Sequence, residues 1–143
     1  MRLPALPALW SAVLGAAACL VVAASEAAPS PAFAKEMAAL IGKPFSATRA
    51  KLLAEGWAPV ETNLTNSRGE SERSRGEAAR FLEAGFPEIE RCTGGAKNYC
   101  FFNYKRRGQC LRVRTLGVLE LPASDPRVHG AGDACPSRQK APG

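Results

Sequence analysis

The chain has 143 residues, with 19 Lys and Arg against 13 Asp and Glu, and five cysteines. That length admits one modest domain and excludes an assembly of several. The net charge of +6 turns the search for partners towards anions.

Arg2 precedes an uncharged run from Leu6 to Ala24, and small residues follow at Ser25, Ala27 and Ala28. This charged, apolar and small-residue order is that of a secretory signal peptide, expected over residues 1–27. A second cleavage register, Ala32-Phe33-Ala34, lies farther from the apolar run. An uncleaved membrane anchor competes for the same segment, since 19 uncharged residues reach the length of a short span. Lipid modification of Cys19 is a third reading, weakened because Ala16 stands where such sites carry Leu. Residues 28–34 then read as a linker to a domain over 35–135, with a flexible tail at 136–143.

Met37, Leu40 and Ile41 recur at helical spacing before Gly42 and Pro44 interrupt. Ser46 reads as the N-cap of a helix over Ala47–Glu55, with Ala50, Leu52 and Leu53 inward and Gly56 past its end. Trp57–Glu61 is a short strand that Pro59 confines to an edge. Residues 62–77 are polar and charged and read as a mobile loop; within them Asn63-Leu64-Thr65 matches a glycosylation acceptor triplet. A helix over Glu77–Ala84 follows, with Ala78, Phe81 and Leu82 inward and Gly85 as its stop.

Removing the signal leaves Cys92, Cys100, Cys110 and Cys135, an even count that reads as a disulfide framework in a short exported chain. No C-x2–4-C knuckle for zinc and no C-x-x-C redox pair occurs. Of three connectivities, Cys92–Cys100 with Cys110–Cys135 is preferred, because Thr93-Gly94-Gly95-Ala96 is a flexible turn whose flanks can meet. A Cys100–Cys110 crosslink would join offset positions.

Tyr99–Tyr104 and Cys110–Leu116 form a hairpin around a loop read as Lys105-Arg106-Arg107-Gly108-Gln109. With that loop, Tyr99, Phe101, Leu111 and Val113 take the core face, while Cys100, Phe102, Tyr104, Arg112 and Arg114 take the other. A face mixing aromatics with arginines suits recognition, so Phe102, Tyr104, Arg106, Arg107, Arg112 and Arg114 are the candidate binding residues. The plainer reading is that the arginine stems merely cover the two rings. Residues 117–121 extend the second strand or begin a third, and from Pro122 onward the chain reads as irregular.

Charge is unevenly placed: residues 35–90 carry 8 basic and 9 acidic side chains, residues 91–143 carry 10 and 3. An acidic protein or glycan is therefore the expected partner, with nucleic acid disfavoured by export and by the missing aromatic consensus of RNA-binding sheets. Membrane contact is expected only through the N-terminal segment. No catalytic fingerprint appears. The lone His129, near Ser124, Asp125 and Asp133, is the best centre for a small hydrolase. Glu88 and Glu90, two apart, would share a strand face as a carboxylate pair. No metal or cofactor is expected.

The order GKPFSATRAKLLAEGWAPV … GFPEIERCTGGAKNYCFFNY … LRVRTLG resembles a group of small exported bacterial proteins of unassigned function. These pair a G-x-P-[FY]-S-x-x-R-x-x-L-x-x-x-G-W-x-P segment with a G-[FY]-P-E-x-x-x-C … C-x-F hairpin and a following T-x-G. The likeness spans residues 42–117. It implies Gly42, Pro44, Arg49, Leu52, Gly56 and Trp57 as architecture and Cys92–Cys100 as a bridge, and it brings no activity with it. In element order alone the chain is similar to β-lactamase inhibitor proteins and outer-membrane assembly lipoproteins.

The expectation is a small α+β domain, with two short helices packed on an antiparallel sheet that contains a disulfide-braced hairpin. Its expected role is that of an exported, non-catalytic binding or inhibitor-like module using the basic hairpin face. A polyanion or cell-surface binder is the alternative.

Overall fold

Ser30 starts the fold in the computed structural model, which describes residues 28–136. The expected signal segment and all but the first residue of the expected tail lie outside the described residues. The Ser30 hydroxyl accepts the Phe33 N–H at 3.3 Å and Pro31 occupies the first turn, so helix α1 spans Pro31–Ala38. Residues 31–34 of the expected linker thus belong to this helix. Phe33 is buried and stacks on Trp57, with ring centroids 5.8 Å apart. Cleavage after Ala34 would strip this ring from the core, which argues against the second register.

Helix α2 spans Phe45–Ala54. Ser46 lies inside its first turn and is not the N-cap. Its backbone N–H donates to the Asp125 carboxylate at 3.1 and 3.3 Å, and its hydroxyl donates to the same group. A carboxylate 79 positions away therefore supplies the cap that the local sequence lacks.

The 62–77 segment has internal structure where a mobile loop was expected. Asn66 Oδ1 accepts the Arg68 and Glu70 N–H groups, a 3-10 turn forms at Glu72–Ser74, and buried Arg73 donates to the Pro87 carbonyl at 2.8 Å. Helix α3 follows at Gly76–Glu83, burying Ala78 and Phe81. Leu53 and Leu82, expected inward, are exposed.

Five antiparallel strands form one sheet: β1 (Ala58–Pro59), β2 (Ile89–Cys92), β3 (Tyr99–Arg106), β4 (Gln109–Leu116) and β5 (Arg127–Gly132). Their order is β1-β3-β4-β5, and β2 shares the outer edge of β3 with β1. β2 pairs with Cys100–Phe102 while β1 pairs with Tyr104 and Lys105. Gly117, at φ 116°, turns the chain away from β4, so residues 117–121 neither extend that strand nor begin another. β5 forms instead in the stretch expected to be irregular.

The hairpin loop is shorter than its sequence suggested. Arg106 pairs with Gln109, leaving the two-residue turn Arg107-Gly108 with φ values of 48° and 79°. Two successive positive φ angles match the twist of the flanking strands. Shortening the loop shifts the register by one residue, which turns β4 over relative to β3. Phe102 now opposes Val113 and Tyr104 opposes Leu111, so these four share the core face with Cys100. Tyr99 and Phe101, expected inward, share the opposite face with Arg112 and Arg114.

All three helices feed the core on the Phe102 side. Phe45 lies 4.0 Å from Phe102 between ring centroids, and Phe81 closes on both at 6.1 and 4.9 Å. Aromatic pairs at these separations add to their area burial. The α+β architecture is as expected, with a third helix and a larger sheet. Both preferred disulfides are present: Cys92–Cys100, directly opposed across β2 and β3 with Cα atoms 4.1 Å apart, and Cys110–Cys135 at 5.1 Å. Disulfides of this kind mark an oxidising environment. Among the described residues no helix is long and apolar enough to cross a membrane.

Candidate functional site: an arginine–aromatic face

The face away from the helices is built by alternation. Tyr99, Phe101 and Asn103 project from β3, opposite Leu116, Arg114 and Arg112 of β4. Phe101 is half-buried between two guanidinium groups, Arg91 at 5.0 Å and Arg112 at 4.6 Å from its ring centroid. Tyr99 takes Arg114 at 5.3 Å and the His129 ring at 5.2 Å. Cations over aromatic faces are held by the ring quadrupole, and stacked arginines keep their in-plane donors free for ligands.

Glu90 organises half of this face. β2 bulges between Ile89 and Arg91, and the bulged Glu90 turns away from the core, almost fully buried. Its carboxylate accepts Arg112 Nη2 at 2.5 Å and Asn103 Nδ2 at 2.8 Å, and Arg91 Nε stands 3.6 Å away. Arg91 and Arg112 therefore share one internal counter-charge. Arg114 is exposed and has no carboxylate within 4 Å among the described residues.

Glu88 does not join Glu90 as a carboxylate pair. It faces the helices, where Arg49 Nε donates to Oε1 at 2.5 Å and the Tyr104 hydroxyl donates to the same oxygen at 3.0 Å. Hydrogen bonding to Glu88 raises the Arg49 pKa against the opposing effect of burial. Burial first, then the Glu88 charge, pushes the Tyr104 phenol well above its ordinary value. This buried carboxylate is a structural anchor between α2 and the sheet.

The candidate binding residues thus separate. Phe102 and Tyr104 are fully buried core residues and leave the set, because the two-residue turn places them inward. Arg106 lies over the Trp57 ring at 4.2 Å and bonds both Glu36 carboxylate oxygens at 3.1 Å, which fastens α1 to the hairpin. Arg107 stands exposed at the turn. Arg112 and Arg114 remain, joined by Tyr99, Phe101 and Arg91. Asp125 belongs to the α2 cap and not to a site with His129, which lies exposed on β5 against Tyr99.

Beside Arg114 the sheet surface carries a shallow, open cleft of about 210 Å3, lined by Gly130, Ala131, Gly132 and Ala134 together with Phe101, Arg112 and Arg114. A Cβ on Gly130 would stand 3.3 Å from Arg114 Nη2, so this glycine lets the guanidinium lie against the strand backbone. No sequence signal pointed to this strip, since Gly and Ala carry little strand propensity.

Compared with protein-family models, curated proteins and solved structures, the chain matches none.

Proposed function

We propose that this is an exported, non-catalytic binding module that grips an acidic segment of a partner protein on its arginine–aromatic sheet face. The observation that carries the reading is Arg114: a guanidinium laid between an aromatic ring and a glycine, exposed, and without an internal counter-ion among the described residues. A cation held in place by packing loses little freedom on binding, which favours bidentate capture of a carboxylate. Two features support the setting. The disulfides suit an oxidising compartment, and the N-terminal sequence has the pattern of a signal that would direct a chain to the periplasm or outside the cell. The net charge of +7 over residues 91–143 draws an acidic partner towards the same half of the chain.

The test is retention on an immobilised hexaglutamate peptide. Wild-type protein should be held and Arg114→Glu released, with equal thermal stability for both. Equal retention would sink the reading. Stronger retention on heparin than on the peptide, falling steeply with salt, would favour the polyanion alternative.

A further inference from the structure

The open face presents three arginines, but their surroundings differ enough to single out one pocket. We infer that the cleft over Gly130–Gly132 receives one glutamate or aspartate side chain of the partner, with Arg114 as its charge partner and Gly132 keeping the pocket open. The inference rests on the acidic-partner reading and names the place where that partner is read.

Charge comes first. Arg91 and Arg112 are partly neutralised by Glu90, whereas Arg114 is not paired among the described residues. The other basic hollow, beside the hairpin turn, offers Arg107 and Arg106, but Glu36 already holds Arg106 with two hydrogen bonds and the Glu55 carboxylate lines the same hollow, where it would repel an incoming anion. An incoming carboxylate therefore meets least internal competition at Arg114.

Shape comes second. A cleft of about 210 Å3 falls below the roughly 300–1,000 Å3 of small-molecule sites. It suits a single acidic side chain, whose methylene groups would meet the Phe101 ring and the backbone of Gly130–Gly132 while its oxygens meet the guanidinium.

The third observation is Gly132. Nothing lies within 4 Å of the position its Cβ would take, and its φ is not in the left-handed region. Neither crowding nor backbone conformation calls for glycine here, yet any side chain would project into the cleft. A strand that forgoes a side chain under those conditions leaves room for another chain to approach.

The experiment is a titration of the isotope-labelled protein with hexaglutamate, followed by the backbone amide signals and the arginine Nε–H signals. Saturable shifts should centre on Gly130, Ala131, Gly132 and the Arg114 Nε–H. Gly132→Val should weaken binding about tenfold or more and Gly132→Ala by less, while both variants melt no lower than wild type. If hexaglutamate binds but Gly132→Val binds equally well, the pocket is wrong and the acidic-partner reading survives. Shifts centred on Arg91 and Phe101 would likewise overturn the pocket alone. If the wild-type protein does not bind the peptide at about 1 mM, the pocket and the reading beneath it both fall.

Discussion

The Tyr104 hydroxyl donates to Glu88 Oε1 at 3.0 Å inside the core, where neither residue has any exposed surface. Arg49 reaches the same carboxylate from α2, so the three side chains bind helix to sheet through a buried charge. Removing the cation while keeping the carboxylate leaves Glu88 uncompensated. Arg49→Leu should therefore cost about 3 kcal/mol in urea denaturation, and Tyr104→Phe about 1.5 kcal/mol.

The same contact sets an alkaline limit. The Tyr104 proton is held more tightly in the folded chain than in the unfolded one. Its contribution to stability is complete below the ordinary tyrosine pKa of about 10 and is lost as pH rises through the folded value. Stability should decline above about pH 10, with tyrosinate absorbance from this residue appearing together with unfolding. Tyr104→Phe should remove that absorbance step. A step from Tyr104 that precedes unfolding would contradict the assignment.

Asp125 caps α2 from the far end of the chain. Asp125→Ala should cost about 1 kcal/mol, lowering the melting temperature by about 5 °C. Hydrogen exchange should locate the loss at the first turn of α2 and at the 124–126 segment. Uniform loss across the sheet would show that the carboxylate does something other than cap.

Arg107 adopts φ 48° at the first position of a turn that favours Asn. Arg107→Asn should raise stability by about 0.5 kcal/mol and leave hexaglutamate retention unchanged, because the turn lies away from Arg114.

The Cys110–Cys135 bridge ties β4 to the chain just beyond β5, with a sequence separation of 25. Replacing both cysteines with Ser should cost up to about 3.5 kcal/mol on the loop-entropy account. Amide exchange at Ala131 and Gly132 should accelerate well before exchange at Phe102. Retention on hexaglutamate should fall in proportion, since the glycine strip loses its fixed end.

Much of this architecture is written locally. The helix around Leu52, the hairpin and the Cys92–Cys100 pairing all follow from neighbouring residues: a Gly past a helix end, two β-rich runs, a Gly-Gly turn. What local reading missed depends on a single residue of register or on distant partners. Whether Phe102 or Phe101 faces the core depends on a turn of two residues or five, and Arg107-Gly108 lacks the Asn-Gly pair that announces the shorter one. Glu90 leaves the Glu88 side only because β2 bulges. The second half of β5 is Gly-Ala-Gly, which propensity does not place in a strand, and its spacing becomes intelligible once Arg114 is seen lying against Gly130. Asp125 looked like a companion for His129 because the two are close in sequence. Its actual partner, Ser46, is near only in space.

The shared edge of β3 bears on how the chain assembles. β1 and β2 precede β3 in sequence, and neither pairs with the other; both wait for the same strand. As the polypeptide emerges N-terminus first, everything up to Cys92 lacks a sheet to dock on until residues 99–106 follow. The β3–β4 hairpin, closed by two residues, is the most local pairing available and the natural seed. The sheet of such a chain is completed from its C-terminal half backwards, because the N-terminal strands have no partner until β3 is in place.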